Sequence, residues 1–204
     1  MFVRTIILIL LLFVAPFVVS SKVSADETFS IVSDTQTEFF DGVNWNNSFE
    51  TFVHSAWPGI EGAEWIWKSA IVDPDKSQTG EGPITFRRQF NLTGNAVGTL
   101  RITADNAYSV SLDGTILGSQ GHLNPAGSND QSWSSIEAYN IENVTPGNHT
   151  LTFQVTNYQT NFPDTPFSNP AGLIYRLDLE LTSHPNPIII VPGIVASFNW
   201  RVLG

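Results

Sequence analysis

Along much of the chain, apolar and polar residues alternate one for one, the period of a strand with one buried and one wet face. From Thr150 to Asn157, Leu151, Phe153 and Val155 point one way and Thr152, Gln154 and Thr156 the other. From Leu173 to Leu181 the odd positions are Leu or Tyr, and Arg176, Asp178 and Glu180 alternate with them. Leu100 and Ile102 alternate with Arg101 and Thr103, and Tyr108, Val110 and Leu112 with Ser109 and Ser111. No window carries the apolar stripe of a long helix. Asp113-Gly114 reads as a tight hairpin turn, and Pro146-Gly147 as a second turn before the Thr150 strand. The Pro-rich stretch from Asn161 to Pro170 and the Gly-, Ser- and Asn-rich stretch from Gly118 to Gln131 read as loops. Short strands divided by frequent turns predict an all-β fold, an antiparallel β-sandwich.

One strand breaks the pattern. Ile84, Phe86, Phe90 and Leu92 share a face, and Arg88 falls on it too. A bulge that shifts the register, or a rim position from which Arg88 reaches solvent, is expected; a buried, paired arginine is disfavoured by the cost of burying charge.

The ends of the chain differ from the middle. Arg4, an apolar run from Ile6 to Val19 and the small residues Val23-Ser24-Ala25 read as a signal peptide over residues 1–25, cut before Asp26. The run is shorter than the ~20 residues that span a bilayer, so no stable membrane span is expected after cleavage. Localisation outside the cell follows. The sandwich is expected over residues 26–182, a short linker over 183–187, and a separate apolar segment over 188–204. With Arg4 and Lys22 in the leader, 7 basic and 19 acidic residues remain, a net charge of −12. That charge argues against nucleic acid and anionic membranes as partners. The chain has no cysteine, which excludes disulfides, thiolate metal sites and a lipid anchor at the cut.

The candidate chemistry is that of a binding surface. Trp45, Trp57, Trp65, Trp67 and Trp133 make the sandwich rich in indoles, whose faces stack on the C–H faces of sugar rings. Trp65 and Trp67 alternate around Ile66, which places at least one in the core. Trp133 follows the long polar loop and is the better ligand contact. Asp105-Asn106 ends a strand at the rim; the pair offers the oxygens that calcium requires or that bind sugar hydroxyls, and equally the chemistry of an ordinary turn. His122 in the long loop is a further candidate ligand contact. Asp73, Asp75 and Glu81 have no calcium spacing and read as solvated surface. His54, His122, His149 and His184 have no zinc spacing, so zinc is not expected. No cofactor is expected to be required, and calcium at Asp105 and Asn106 is the one candidate metal.

Three segments are similar to galactose-binding-like jelly rolls: Phe86-Arg87-Arg88-Gln89-Phe90, Leu100 to Asn106, and Tyr108 to Gly114. The likeness is strongest to the accessory domains of bacterial glycosidases, rhamnosidases among them. Pro146 to Leu151 resembles that family's turn and penultimate strand, and Gly172 to Leu181 its closing strand. The resemblance runs from about Glu64 to Leu181, and implies a jelly roll that binds a glycan or packs on a neighbouring domain. Its first strands would come from Glu27 to Ala63. In the tail, Ile188-Ile189-Ile190-Val191 reads as a strand buried in a parallel sheet. Pro192 to Ser197 then resembles the first loop of a lipase or lecithin:cholesterol-acyltransferase-like α/β-hydrolase. That resemblance implies that Ile194 or Val195 lends a backbone amide to an oxyanion hole; Ala196 stands where that family commonly has Gly. The other readings of the tail are a last strand of the sandwich or a membrane-associating segment. No G-x-S-x-G occurs in the 204 residues, so this chain by itself is expected to be inactive. Two functions fit the sequence: a secreted, non-catalytic carbohydrate-binding module at the front of a larger lipase- or esterase-like hydrolase in cis, and a structural or adhesion sandwich with no small-molecule ligand.

Overall fold

The computed structural model describes residues 28–126, 130–160, 165 and 167–182 (of Ser77 only the backbone), and the backbone of 189–191 and 194–196. The leader, the linker and the remainder of the tail lie outside the described residues.

Two antiparallel six-stranded sheets form a sandwich. The first has the order β10 (Glu137–Val144), β7 (Ala96–Asp105), β12 (Gly172–Leu181), β5 (Ile66–Trp67) and β4 (Phe49–Glu50), with β1 (Thr28–Val32) also on β12. The second has the order β3 (Trp45–Asn47), β2 (Glu38–Phe40), β6 (Glu81–Leu92), β11 (Gly147–Asn157), β8 (Ala107–Leu112) and β9 (Thr115–Gln120). The alternation seen in the sequence becomes the inner faces. Leu100 and Ile102 of β7 and Leu173, Tyr175 and Leu177 of β12 meet Phe86, Leu151, Phe153, Val155 and Val110 of the second sheet, all with no exposed surface. Phe153 stacks on Tyr175 across the interior, ring centroids 4.5 Å apart. The Tyr175 hydroxyl, buried with its ring, pairs with Thr37 Oγ1 at 2.8 Å. Asp113 and Gly114 both have positive φ, as a two-residue hairpin between β8 and β9 requires.

Three expectations are corrected. Arg88 sits in unbroken register opposite Leu151, with no bulge. It is the half-buried, paired arginine that the cost of burial disfavoured: its guanidinium is 2.6 Å from Asp34 Oδ1 and also reaches Gln36. Pairing at the margin of the core, where desolvation is partial, removes the objection. Glu81 is buried and ion-paired with Lys68, so it is no solvated acid. Gly118 belongs to β9 and not to the loop; a Cβ there would lie 2.1 Å from the Tyr139 ring, so glycine serves close packing. The expectation that at least one of Trp65 and Trp67 is core holds: Trp67 enters the central core, and Trp65 a smaller cluster with Trp57, Ile60 and Ile174.

The described residues hold one short α-helix, α1 (Pro74–Thr79), started by Asp73, whose carboxylate accepts from the Asp75 amide, and by Pro74 in the first turn. None of their helices is long and apolar enough to cross a membrane. In the tail, β13 (Ile189–Val191) and β14 (Ile194–Ala196) pair antiparallel, Ile190 opposite Val195, as a unit described by itself. Ile194 and Val195 thus stand on a strand that folds back on the apolar run before it.

Candidate functional site

The chain passes from β7 in the first sheet to β8 in the second through one residue, Asn106, after a cis Asp105–Asn106 peptide. So abrupt a crossover sets both residues at one end of the sandwich. The end of β9, the end of β11 and the start of β12 gather at the same end.

Asp105 is 5% exposed. Its Oδ2 accepts the Trp57 indole N–H at 3.1 Å, while its Oδ1 is buried with no hydrogen-bond partner. Burial pushes the carboxyl well above the usual carboxylate range, and the Trp57 hydrogen bond offsets only part of that. Trp57 lies on Trp65 with ring centroids 4.2 Å apart. Gly172, opposite Asp105 on β12, makes room: a Cβ there would come within 2.7 Å of Trp65 and 3.1 Å of Trp57. These indoles, with Ile60 and Ile174, form a fixed apolar base on the outer side of the first sheet, and Trp133 packs half-exposed against it. The His54 ring lies 6.5 Å from both Trp57 and Trp133. A short 3-10 turn, Ser132–Ser134, carries Trp133, and the Thr103 hydroxyl of β7 anchors it by donating to the Ser132 carbonyl at 2.6 Å.

Asn106 organises a second group. Its Oδ1 accepts the Tyr158 amide at 2.7 Å, and its own amide donates to the Thr156 carbonyl. The Tyr158 hydroxyl accepts from the His122 amide at 2.8 Å and donates to the His122 carbonyl at 2.9 Å, with Asp130 Oδ2 also at 3.2 Å. Asp130 Oδ2 is 2.9 Å from His122 Nδ1, and the His122 side chain is 78% exposed. Beside it, Gln120, Gly121, Asp130, Gln131, Ser132 and Ser135 line a shallow polar depression of about 250 Å³. Buried polar atoms of Gln120, Thr156 and Asn157 at this end also make no hydrogen bond.

At the opposite end, His149 is buried between two turns. Its Nδ1 is 2.7 Å from Asp113 Oδ2 and its Nε2 2.7 Å from the Thr145 carbonyl; Asp113 Oδ1 accepts the Thr150 amide. Burial pushes the Asp113 carboxyl up, and the hydrogen bonds from His149 and Thr150 outweigh it, leaving it below its ordinary value.

All four residues singled out in the sequence as ligand contacts, Asp105, Asn106, His122 and Trp133, therefore lie at one end. His122 is exposed and Trp133 and Asn106 are partly exposed, whereas Asp105 is buried and holds Trp57 from behind; the Asn106 side-chain oxygen is taken up by Tyr158. For calcium, this pair supplies one unengaged carboxylate oxygen, against the ~6–8 oxygens the ion takes. No three His, Asp or Glu side chains among the described residues come together as a metal cage. His54, Asp130 and Tyr158 were missed. Nothing local marks them, since their roles arise where loops far apart in sequence converge.

No known family profile matches the chain. Over 131 residues, 62% of its length, it is 30% identical to an alpha-L-rhamnosidase of Streptomyces avermitilis. It spans 11% of that curated relative. Similar solved structures include a family 35 carbohydrate binding module from Clostridium thermocellum, with a TM-score of 0.38, 9% identity and coverage of 74% of this chain and 97% of that one. Another is CBM35 from Paenibacillus barcinonensis, with a TM-score of 0.36, 12% identity and coverage of 76% and 99%.

Proposed function

We propose that the sandwich is a secreted, non-catalytic carbohydrate-binding module that serves a larger hydrolase in cis. The observation that carries this reading is the convergence around Trp133: a half-exposed indole on a rigid base of Trp57, Trp65 and Ile174, with the exposed His122–Asp130 pair on the same rim. A flat apolar ring beside fixed polar groups suits a pyranose, which offers C–H on its faces and hydroxyls at its edge. Similarity to a rhamnosidase over most of the sandwich supports the same reading.

The host enzyme is read from residues 188–204 as lipase- or esterase-like, with Ile194 or Val195 near its oxyanion hole. The rhamnosidase likeness favours a second reading, in which the host is a glycoside hydrolase.

Affinity electrophoresis of the chain in gels cast with plant polysaccharides tests the module. Trp133→Ala is expected to weaken binding at least tenfold with an unchanged melting temperature, and His122→Ala several-fold. Wild-type mobility unaltered by every polysaccharide would leave the structural or adhesion role in its place.

A further inference from the structure

The outer face of the second sheet, away from the Trp133 rim, has its own chemistry. At its β2–β3 edge Phe40 and Trp45 stand opposite each other, ring centroids 5.3 Å apart, with Phe40 39% exposed. The Arg87 guanidinium lies 4.0 Å over the Trp45 ring, and its Nε donates to Glu38 Oε2 at 2.7 Å. Two fixed partners hold that guanidinium on the sheet, which leaves its terminal N–H groups as pre-oriented donors.

From this edge two rows of side chains run across the strands. Pairing sets Arg87 beside Thr152 and Thr152 beside Ser111; in the next row Thr85 is beside Gln154 and Gln154 beside Ser109. All of them are at least partly exposed. Apart from Arg87, none of these six side chains hydrogen-bonds to another described residue. Neighbouring strands lie ~4.8 Å apart, so the face from β3 to β9 extends roughly 24 Å, the length of a short oligosaccharide.

A wet sheet face is polar as a matter of course. A merely solvated one, on a chain of net charge −10, would carry a share of its acids. These rows instead present hydroxyls and amides, and their one cation is matched by Glu38, so the rows are neutral; the acid nearest them, Asp41 in the β2–β3 turn, is engaged by Val43, Asn44 and Asn46. Hydroxyls and amides left open, a neutral field and an aromatic pair at one end fit an uncharged chain of linked sugars.

We infer that this face is a second glycan-binding surface, which takes a neutral polysaccharide laid across the strands with one ring over the Phe40–Trp45 edge. It is separate from the Trp133 rim and does not depend on that reading.

The test is affinity electrophoresis of the full chain in gels cast with galactomannan, xyloglucan, arabinogalactan or, for contrast, polygalacturonate. Arg87→Ala and Trp45→Ala are expected to weaken binding to at least one neutral polymer five- to tenfold. Gln154→Ala, an outward change on a central strand that spares the fold, is expected to weaken it about threefold. Circular dichroism and the melting temperature establish that each variant is folded. Loss in these variants with Trp133→Ala unaffected supports the sheet face and overturns the rim. Loss in Trp133→Ala alone, retardation by polygalacturonate alone, or no retardation of the wild type overturns the sheet face.

Discussion

The two ends of the sandwich solve the problem of buried polar groups in opposite ways. At the β8–β9 turn, both nitrogens of buried His149 and both oxygens of Asp113 have partners. At the β7–β8 crossover, Asp105 is buried with one oxygen unpaired, and atoms of Gln120, Thr156 and Asn157 nearby share its condition. A satisfied network rigidifies a structure, whereas unpaired buried groups cost stability and persist where something other than stability is served. The paired end reads as a staple between two turns, and the unpaired end is the one that carries Trp133 and His122 and the proposed site.

The largest test of this contrast is to remove the staple. His149→Ala strips partners from Asp113 and Thr145 and leaves a gap beside Phe90, so chemical denaturation should show a loss of about 2–4 kcal/mol. A loss below half a kilocalorie would make the two ends equivalent. At the other end the sign reverses. Asp105→Asn keeps an acceptor for Trp57 and removes a carboxyl whose charged form burial disfavours, so stability at neutral pH should rise by about 1 kcal/mol. Because folding raises this pKa, Asp105 stabilises most below its ordinary value of 3.8, and that contribution fades as the pH climbs toward the folded value. Denaturation midpoints from pH 4 to 7 should fall less in Asp105→Asn than in the wild type. The smallest effect belongs to Asp113. Its lowered pKa gives a contribution that is present above 3.8 and lost as the pH falls through the lower folded value. Asp113→Asn should therefore lessen the acid sensitivity of the wild type below pH 4 while it costs a little at pH 7. Its side chain is nearly half exposed, so water screens the effect.

What could be read from the sequence was whatever repeats locally. Alternation through Leu151–Val155 and Leu173–Leu181 fixed both inner faces, and Asp113-Gly114 gave its turn, since each depends on residues a few positions apart. Arg88, Glu81 and Gly118 misled because their environments come from Asp34, Lys68 and Tyr139, which only the folded sheets bring near. The site shows the same division. Asp105, Asn106, His122 and Trp133 could be named from residue type and position beside loops. That Asp105 is a buried support for Trp57, and that His54 and Asp130 flank the half-exposed ring and the imidazole, depends on loops that meet only in three dimensions.

The pairing of β1 with β12 has a mechanical consequence. Thr28 lies opposite Glu180, so the sandwich is entered and left at the same point, by neighbouring antiparallel strands. A pull on those two ends opens the ladder one bond at a time, like a zipper, instead of shearing all its bonds together. Under tension applied through the chain on either side of the sandwich, β1 would peel away first at low force and leave the sheet behind it still paired.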